Sequence, residues 1–517
     1  MRRILPLLSM ICLMAFALAA CSGLKTGGGP PPPTTGTLSL TVIDTPPANS
    51  SILAFKLPIT AATLNPQTGS AVPLTLSSGA ANLELMRLQS DSGFLGTSTV
   101  AAGTYTGLTV TFGTPVITFA NQTGAAVSGC ANGSVCEITP TTVPSPLTAT
   151  VTLASALNLT SGGKQGLSLD FNLSNAITFT GGNLVVDLTQ TGALSAATLP
   201  RGGTAGTSPL DLIEDLTGVV TSVNASAQTL TVESATRGTI TATANSSTGF
   251  DDFYGLCTST TKTFASCVAL NETVSIDAAL DADGSFTLLE FEPFSTAKED
   301  LIEGVVTSRL ATDTTQFELV VSEKVLSGSG SILSGVNVGD PVEITLGSSP
   351  TFFVDRKALS TNTTDLPSTA IAAFEGAADN SVIYPGQMIV VRPTSFTPAA
   401  GSTIAAATVD AVGLRWTRIS GTVSQTPTAP NFDIAGLPPF LPVGVPANSS
   451  IVPFPTLIRV QTIISTHPGA TVFDPSSLGS VTGLAINDSV SIRALYFGPT
   501  PTGTDSMVFL AEKLRKH

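Results

Sequence analysis

From Thr37 the chain alternates apolar and polar positions, Thr-Leu-Ser-Leu-Thr-Val-Ile, and then breaks at Asp44-Thr45-Pro46-Pro47. Period-2 alternation closed by a proline turn predicts a strand with one buried face. Similar short runs recur at residues 52–57, 81–88, 107–112, 116–119, 147–153, 167–173 and 184–188, separated by Gly, Pro, Asn and Ser clusters. Short strands at such spacing predict an antiparallel β-sandwich over residues 37–190, with 191–211 as its exit linker. Long helical patterns with Glu and Lys faces are missing, so the chain reads as all-β.

Beyond residue 212 the text repeats itself. Glu214-Asp215-Leu216-Thr217-Gly218-Val219-Val220-Thr221-Ser222 returns as Glu299-Asp300-Leu301-Ile302-Glu303-Gly304-Val305-Val306-Thr307-Ser308, and more faintly as Arg418-Ile419-Ser420-Gly421-Thr422-Val423-Ser424. The repeat glycines lie 86 and 117 residues apart, irregular intervals that imply inserted loops. A polar turn leading into an apolar strand also recurs, at residues 270–276, 338–344, 384–390 and 486–492. Three modules are expected, at 212–295, 296–417 and 418–517.

The first residues add an address. Arg2 and Arg3 precede an apolar run over 4–20 that ends in Leu18-Ala19-Ala20-Cys21. This is the pattern of a signal peptide, residues 1–20, and the run falls short of the roughly 20 residues that span a bilayer comfortably. The motif resembles a bacterial lipobox, which implies a diacylglycerol on Cys21 and acylation of the new amino terminus. Each buried methylene of such chains contributes about 0.8 kcal/mol, so the membrane becomes the first expected partner. The alternative is an ordinary secretory signal with a chance cysteine. Ser22 stands where a retention signal places Asp, so the resemblance points to the outer membrane of a cell envelope, on either face. Residues 21–36, rich in Gly and Pro, read as a tether between anchor and first domain.

Composition narrows the partners. Just under 500 mature residues exceed one core, and with 42% hydrophobic but only 11% charged residues the chain favours strands. Loss of residues 1–20 leaves 20 basic against 36 acidic side chains, a net charge of −16. Nucleic acid is therefore disfavoured as a partner, and the acids are expected to decorate loops and aid solubility. Cys12 leaves with the signal, and four cysteines remain after Cys21: Cys130, Cys136, Cys257 and Cys267. An even number in an exported chain predicts disulfides. Three pairings are possible, and the local ones, Cys130 with Cys136 and Cys257 with Cys267, would each staple one loop. Zinc is disfavoured because neither Cys-x-x-Cys spacing nor a nearby histidine exists.

Catalytic chemistry finds few anchors. The only histidines are His467, beside Pro468, and the terminal His517. A serine or cysteine nucleophile would have to rely on His467, and no Gly-x-Ser-x-Gly elbow accompanies it. Ser295-Thr-Ala-Lys298 has a Ser-x-x-Lys spacing in a linker-like setting, and the Gly-rich stretches at 27–29 and 328–335 lack the Lys of a phosphate loop. Asp277, Asp281 and Asp283-Gly284 resemble part of a calcium loop, yet Asp-Gly between strands also makes a hairpin, the preferred reading. Paired carboxylates for glycoside hydrolysis leave no sequence trace. A sugar cleft needs aromatic platforms, and Trp416 is the only tryptophan, beside four tyrosines. It is expected to pack at a module junction. No cofactor or metal is implied.

Two family resemblances complete the reading. Residues 36–46, the Leu83-Glu-Leu-Met-Arg-Leu88 stretch, Val100-Ala-Ala-Gly103-Thr-Tyr105-Thr-Gly-Leu108 and Leu167-Ser-Leu-Asp170-Phe171 resemble domain-of-unknown-function family 4382, found in bacterial and archaeal lipoproteins. The modules over 212–515 resemble domain-of-unknown-function family 5666, which implies compact barrels of oligonucleotide/oligosaccharide-binding type. The expected function is a membrane-anchored, non-enzymatic binding or structural lipoprotein, with an envelope protein or glycan as a further partner. The alternative is a carboxylate-based hydrolase of extracellular polymer.

Overall fold

The computed structural model describes residues 34–46, 51–200, 209–252, 254–309, 313–356, 367–401, 403–441, 456–460, 471–499 and 507–517. Cys21 and His467 lie outside them. The described elements are overwhelmingly strands, and none of the described helices is long and apolar enough to cross a membrane.

The first domain packs two four-stranded sheets. One runs in the order Leu194–Leu199, Lys164–Asn172, Thr35–Thr45, Gly93–Ala101, and the other in the order Thr148–Leu159, Gly103–Phe112, Ile59–Pro66, Val72–Pro73. Alternation in Thr35–Thr45 sends Leu38, Leu40 and Val42 into a core shared with Leu64, Leu108 and Val110 of the facing sheet. Phe112 meets Phe171 edge-on across that core at 5.5 Å. The sandwich departs from a purely antiparallel one in its middle, where Thr35–Thr45 and Lys164–Asn172 run parallel. Parallel neighbours need a long crossover, and more than a hundred residues of chain intervene here.

Three five-stranded barrels follow. The first is built from Asp211–Asn224, Thr229–Ser234, Gly238–Thr243, Thr273–Leu280 and Phe286–Ser295. The second uses Leu301–Arg309, Gln316–Val325, Pro341–Val354, Met388–Thr397 and Ala405–Arg415. The third uses Thr417–Val423, Asn431–Ala435, Thr456–Val460, Ser489–Pro499 and Met507–Lys516. In each, the strands close in the order first, second, third, fifth, fourth, first. In each, the third and fifth strands pair in parallel while the other pairs are antiparallel. This is the connectivity of the oligonucleotide/oligosaccharide-binding barrel, a Greek-key arrangement.

The repeat has a steric cause. Gly218, Gly304 and Gly421 occupy one position in the first strands, opposite Val274, Ile389 and Val490 of the fourth. A Cβ there would lie 2.4 Å from the Glu233 carbonyl oxygen, 2.3 Å from that of Val320 and 2.7 Å from that of Ala435. The first strand is pressed against its neighbour's backbone, and only glycine fits so close an approach. Of the recurring turn-and-strand segments, those at 270–276, 384–390 and 486–492 enter fourth strands, whereas 338–344 enters the third strand of barrel 2.

Candidate functional site

Where the sandwich and the barrels meet, charged side chains are gathered out of water. Asp215 is the centre. It sits where the pairing register of the first strand of barrel 1 slips between Ile213 and Leu216, with φ 48°. Aspartate tolerates that left-handed conformation better than most residues. Its N–H donates to Asp277 Oδ1 at 2.7 Å, and the bulge turns its carboxylate toward three arginines. Arg493 reaches it at 2.5 Å, Arg418 at 3.1 Å and Arg415 at 3.4 Å.

Each arginine carries the network onward. Arg415, at the end of barrel 2, also pairs with Asp355 at 2.7 Å, Glu292 at 3.0 Å and Glu303 at 3.5 Å. Arg493 reaches Glu214 at 3.3 Å and Glu512, while Lys513 holds Glu214 at 2.6 Å. The sandwich enters through residues 84–92. Glu84 caps the 3-10 turn Leu85–Gln89, accepting from the N–H groups of Phe55, Met86 and Arg87. That turn aims Arg87 between Glu303 at 2.7 Å and Glu323 at 3.1 Å in barrel 2. Arg237 of barrel 1 holds Asp91 at 2.8 Å, and Arg515 of barrel 3 donates to the carbonyls of Leu88, Gln89 and Asp91.

Burial makes these pairs matter. Arg493 and Glu323 are 0% exposed and Arg415 and Asp215 1%. Desolvation weakens the charge on Arg87, Arg415 and Arg493, yet the surrounding carboxylates overcome it and hold all three pKa values above the usual one. Glu303 resists burial through Arg87 and Arg415, and its pKa falls. At Glu323 burial wins and the pKa rises. Arg418 is weakened by burial and by its neighbour Arg87. Glu214, Asp277 and Glu512 present oxygens within 4.8 Å of one another, close enough for a metal. The cations beside them are the protein's own, Arg493 and Lys513. Chemically the cluster is a clamp.

These acids depart from the expectation that acidic residues decorate loops, which others such as Asp283 and Asp313 meet. Asp91, Asp215, Glu303 and Glu323 are buried against arginines from other domains, and Asp355 against Arg415 of its own barrel, 60 residues away; such partners are remote in sequence.

Residues 35–186 match the DUF4382 family model, a domain of unknown function. No curated protein matches the chain. The match spans the DUF4382-like sandwich up to Val186 and includes the segment 84–92 that enters the junction, so this domain meets the barrels through residues within the match.

The other candidates lie apart from the junction or at its edge. Disulfides join Cys130 to Cys136 and Cys257 to Cys267. Asp281 and Asp283 form the hairpin turn between the fourth and fifth strands of barrel 1: Gly284 has φ 82°, Asp281 accepts from Thr287 at 2.8 Å, and Asp283 pairs with Lys164 at 3.5 Å. Trp416 is fully buried at the junction, with the Arg493 guanidinium 5.7 Å from its ring centre. Ser295 accepts from the Ala297 N–H. His517 bonds Ser491 Oγ at 2.6 Å through Nε2 and Thr45 Oγ1 at 3.2 Å through Nδ1. Sequence reasoning missed the arginines and their acids. Their one trace is charge placed between core residues of apolar strands, as at Glu303 after Ile302 and at Arg415 between Leu414 and Trp416.

Proposed function

We propose that the protein is a cell-envelope lipoprotein, anchored in the outer membrane by lipid on Cys21, whose β domains act together as a non-enzymatic binding or structural body. The observation that carries this reading is the junction. Its charged groups, the natural raw material of a hydrolytic site, are buried and matched to one another across all four domains. Such an arrangement holds domains together, its carboxylates turned toward arginines and a lysine of the chain itself. A rigid body on the Gly/Pro tether of residues 21–36 suits presentation of a surface to an envelope protein or glycan. The common connectivity of the barrels supports their assignment to family 5666.

Cys21→Ala in the full-length chain tests the anchor. The wild-type chain should fractionate with membranes and carry the mass of its acyl groups, while the variant should be soluble and unmodified. A wild-type chain recovered soluble and unacylated would overturn the reading. The non-enzymatic part fails if the purified protein releases reducing sugar or peptide from a polymer panel and one Asp or Glu substitution abolishes that turnover.

A further inference from the structure

A second feature lies between barrels 1 and 2, a cleft of about 270 Å³. At roughly 30 Å³ per water it has room for about nine waters. Its wall is aromatic: Tyr254 meets Phe353 edge-on at 4.9 Å and Phe294 at 6.4 Å. Leu301, Val390 and Ala411 extend that apolar surface. Tyr254 precedes by three residues the loop that the Cys257–Cys267 disulfide closes. Burial, aided by Glu292, keeps the Tyr254 phenol protonated well beyond its ordinary range.

The far end is polar. Arg392 bonds Asp410 at 2.7 Å and lies 3.4 Å from Glu299, with its side chain 40% exposed. Thr351, Ser295 and Thr296 also border the space.

We infer that this cleft is a carbohydrate site that seats one neutral pyranose ring, with its C–H face on the Tyr254 ring, which Phe353 backs edge-on, and its hydroxyl edge toward Arg392 and Glu299. The exclusions are physical. An acyl chain would desolvate Arg392 and Glu299 without replacing their hydrogen bonds. An anionic ligand would face Glu299 and Asp410 beside the single arginine. A sugar ring has an apolar face and an edge of hydroxyls that both donate and accept, and an arginine next to carboxylates supplies both complements. The inference rests on the binding reading proposed above and names the ligand class for it.

The test is saturation-transfer NMR on the full-length chain in a non-glycosidic detergent. The probes are the methyl glycosides of glucose, galactose and N-acetylglucosamine, with octanoate and inorganic phosphate as apolar and anionic comparators. At least one glycoside should receive saturation at its ring protons. Affinity should fall at least tenfold in Tyr254→Ala and in Arg392→Met, and should persist in Phe179→Ala, whose half-exposed ring lies in the sandwich. Arg392→Met changes a partly exposed side chain, so it reads the site even if the tyrosine variant misfolds. Silence of all three glycosides, binding unchanged in both cleft variants, or octanoate or phosphate taking their place would each overturn the inference. None of those results touches the anchor and turnover measurements, so the two proposals fail separately.

Discussion

Asp44 ends the first sandwich strand with its carboxyl group fully buried and neither oxygen hydrogen-bonded. Burial raises its pKa well above the ordinary value, Asp170 and Glu84 push the same way, and Arg515 only partly opposes them. The folded chain therefore holds this proton more tightly than the unfolded chain, whose carboxyl titrates near 3.9. Stability from this group is fully present below that pH and is lost as pH rises toward the folded value. Asp44→Asn should consequently be more stable than the wild type at pH 7 and should lose this downward limb. Urea midpoints between pH 4 and 8 measure both, and a variant less stable at pH 7 would show that Asp44 is stabilising as an anion. At this scale little was legible in the sequence. Hydropathy assigns an acid to the surface, and the partner that buries Asp215, Arg493, is 278 residues away. No local pattern encodes such a pair.

Elements were easier to read than residues, because strands and repeats leave local traces. The motif around Gly218, Gly304 and Gly421 was visible as a repeat, but its cause, the approach of a neighbouring backbone, required the fold. Gly304→Ala drives a methyl into the Val320 carbonyl, and overpacking of this kind costs about 1–3 kcal/mol. Gly330→Ala meets nothing within 4 Å and should be close to neutral, so denaturant midpoints of the pair separate crowding from generic helix or strand propensity. The turn segments each lead into a strand as expected, but residues 338–344 enter a third strand where the other three enter fourth strands, since a polar turn before an apolar run fixes neither order nor partner. The stapled loop of barrel 1 gives a further test. Cys257→Ser with Cys267→Ser should cost at most about 2–3 kcal/mol, and limited proteolysis should then cut within 251–268. Unchanged resistance there would mean that packing alone holds the loop.

At the scale of the molecule, the sandwich and the barrels are joined by the ionic junction as well as by shared apolar surface such as Leu53 and Ala120 against the third barrel. The all-β class was legible because alternation and turns are local, whereas the junction exists only once four domains have docked. Its energetics are asymmetric: forming buried pairs yields little net stability, but removing one partner strands the others and costs about 3–5 kcal/mol. Asp215→Ala leaves Arg415, Arg418 and Arg493 close together without their common acid, so the loss should fall on the docking of domains more than on any one core. Calorimetry should show one cooperative transition for the wild type and separated transitions for the variant. Because these charges are buried, added salt screens them poorly, and molar sodium chloride should leave the wild-type transition single. A wild-type endotherm that already splits, or that splits on adding salt, would mean that the domains unfold independently and that the junction is too weak to couple them.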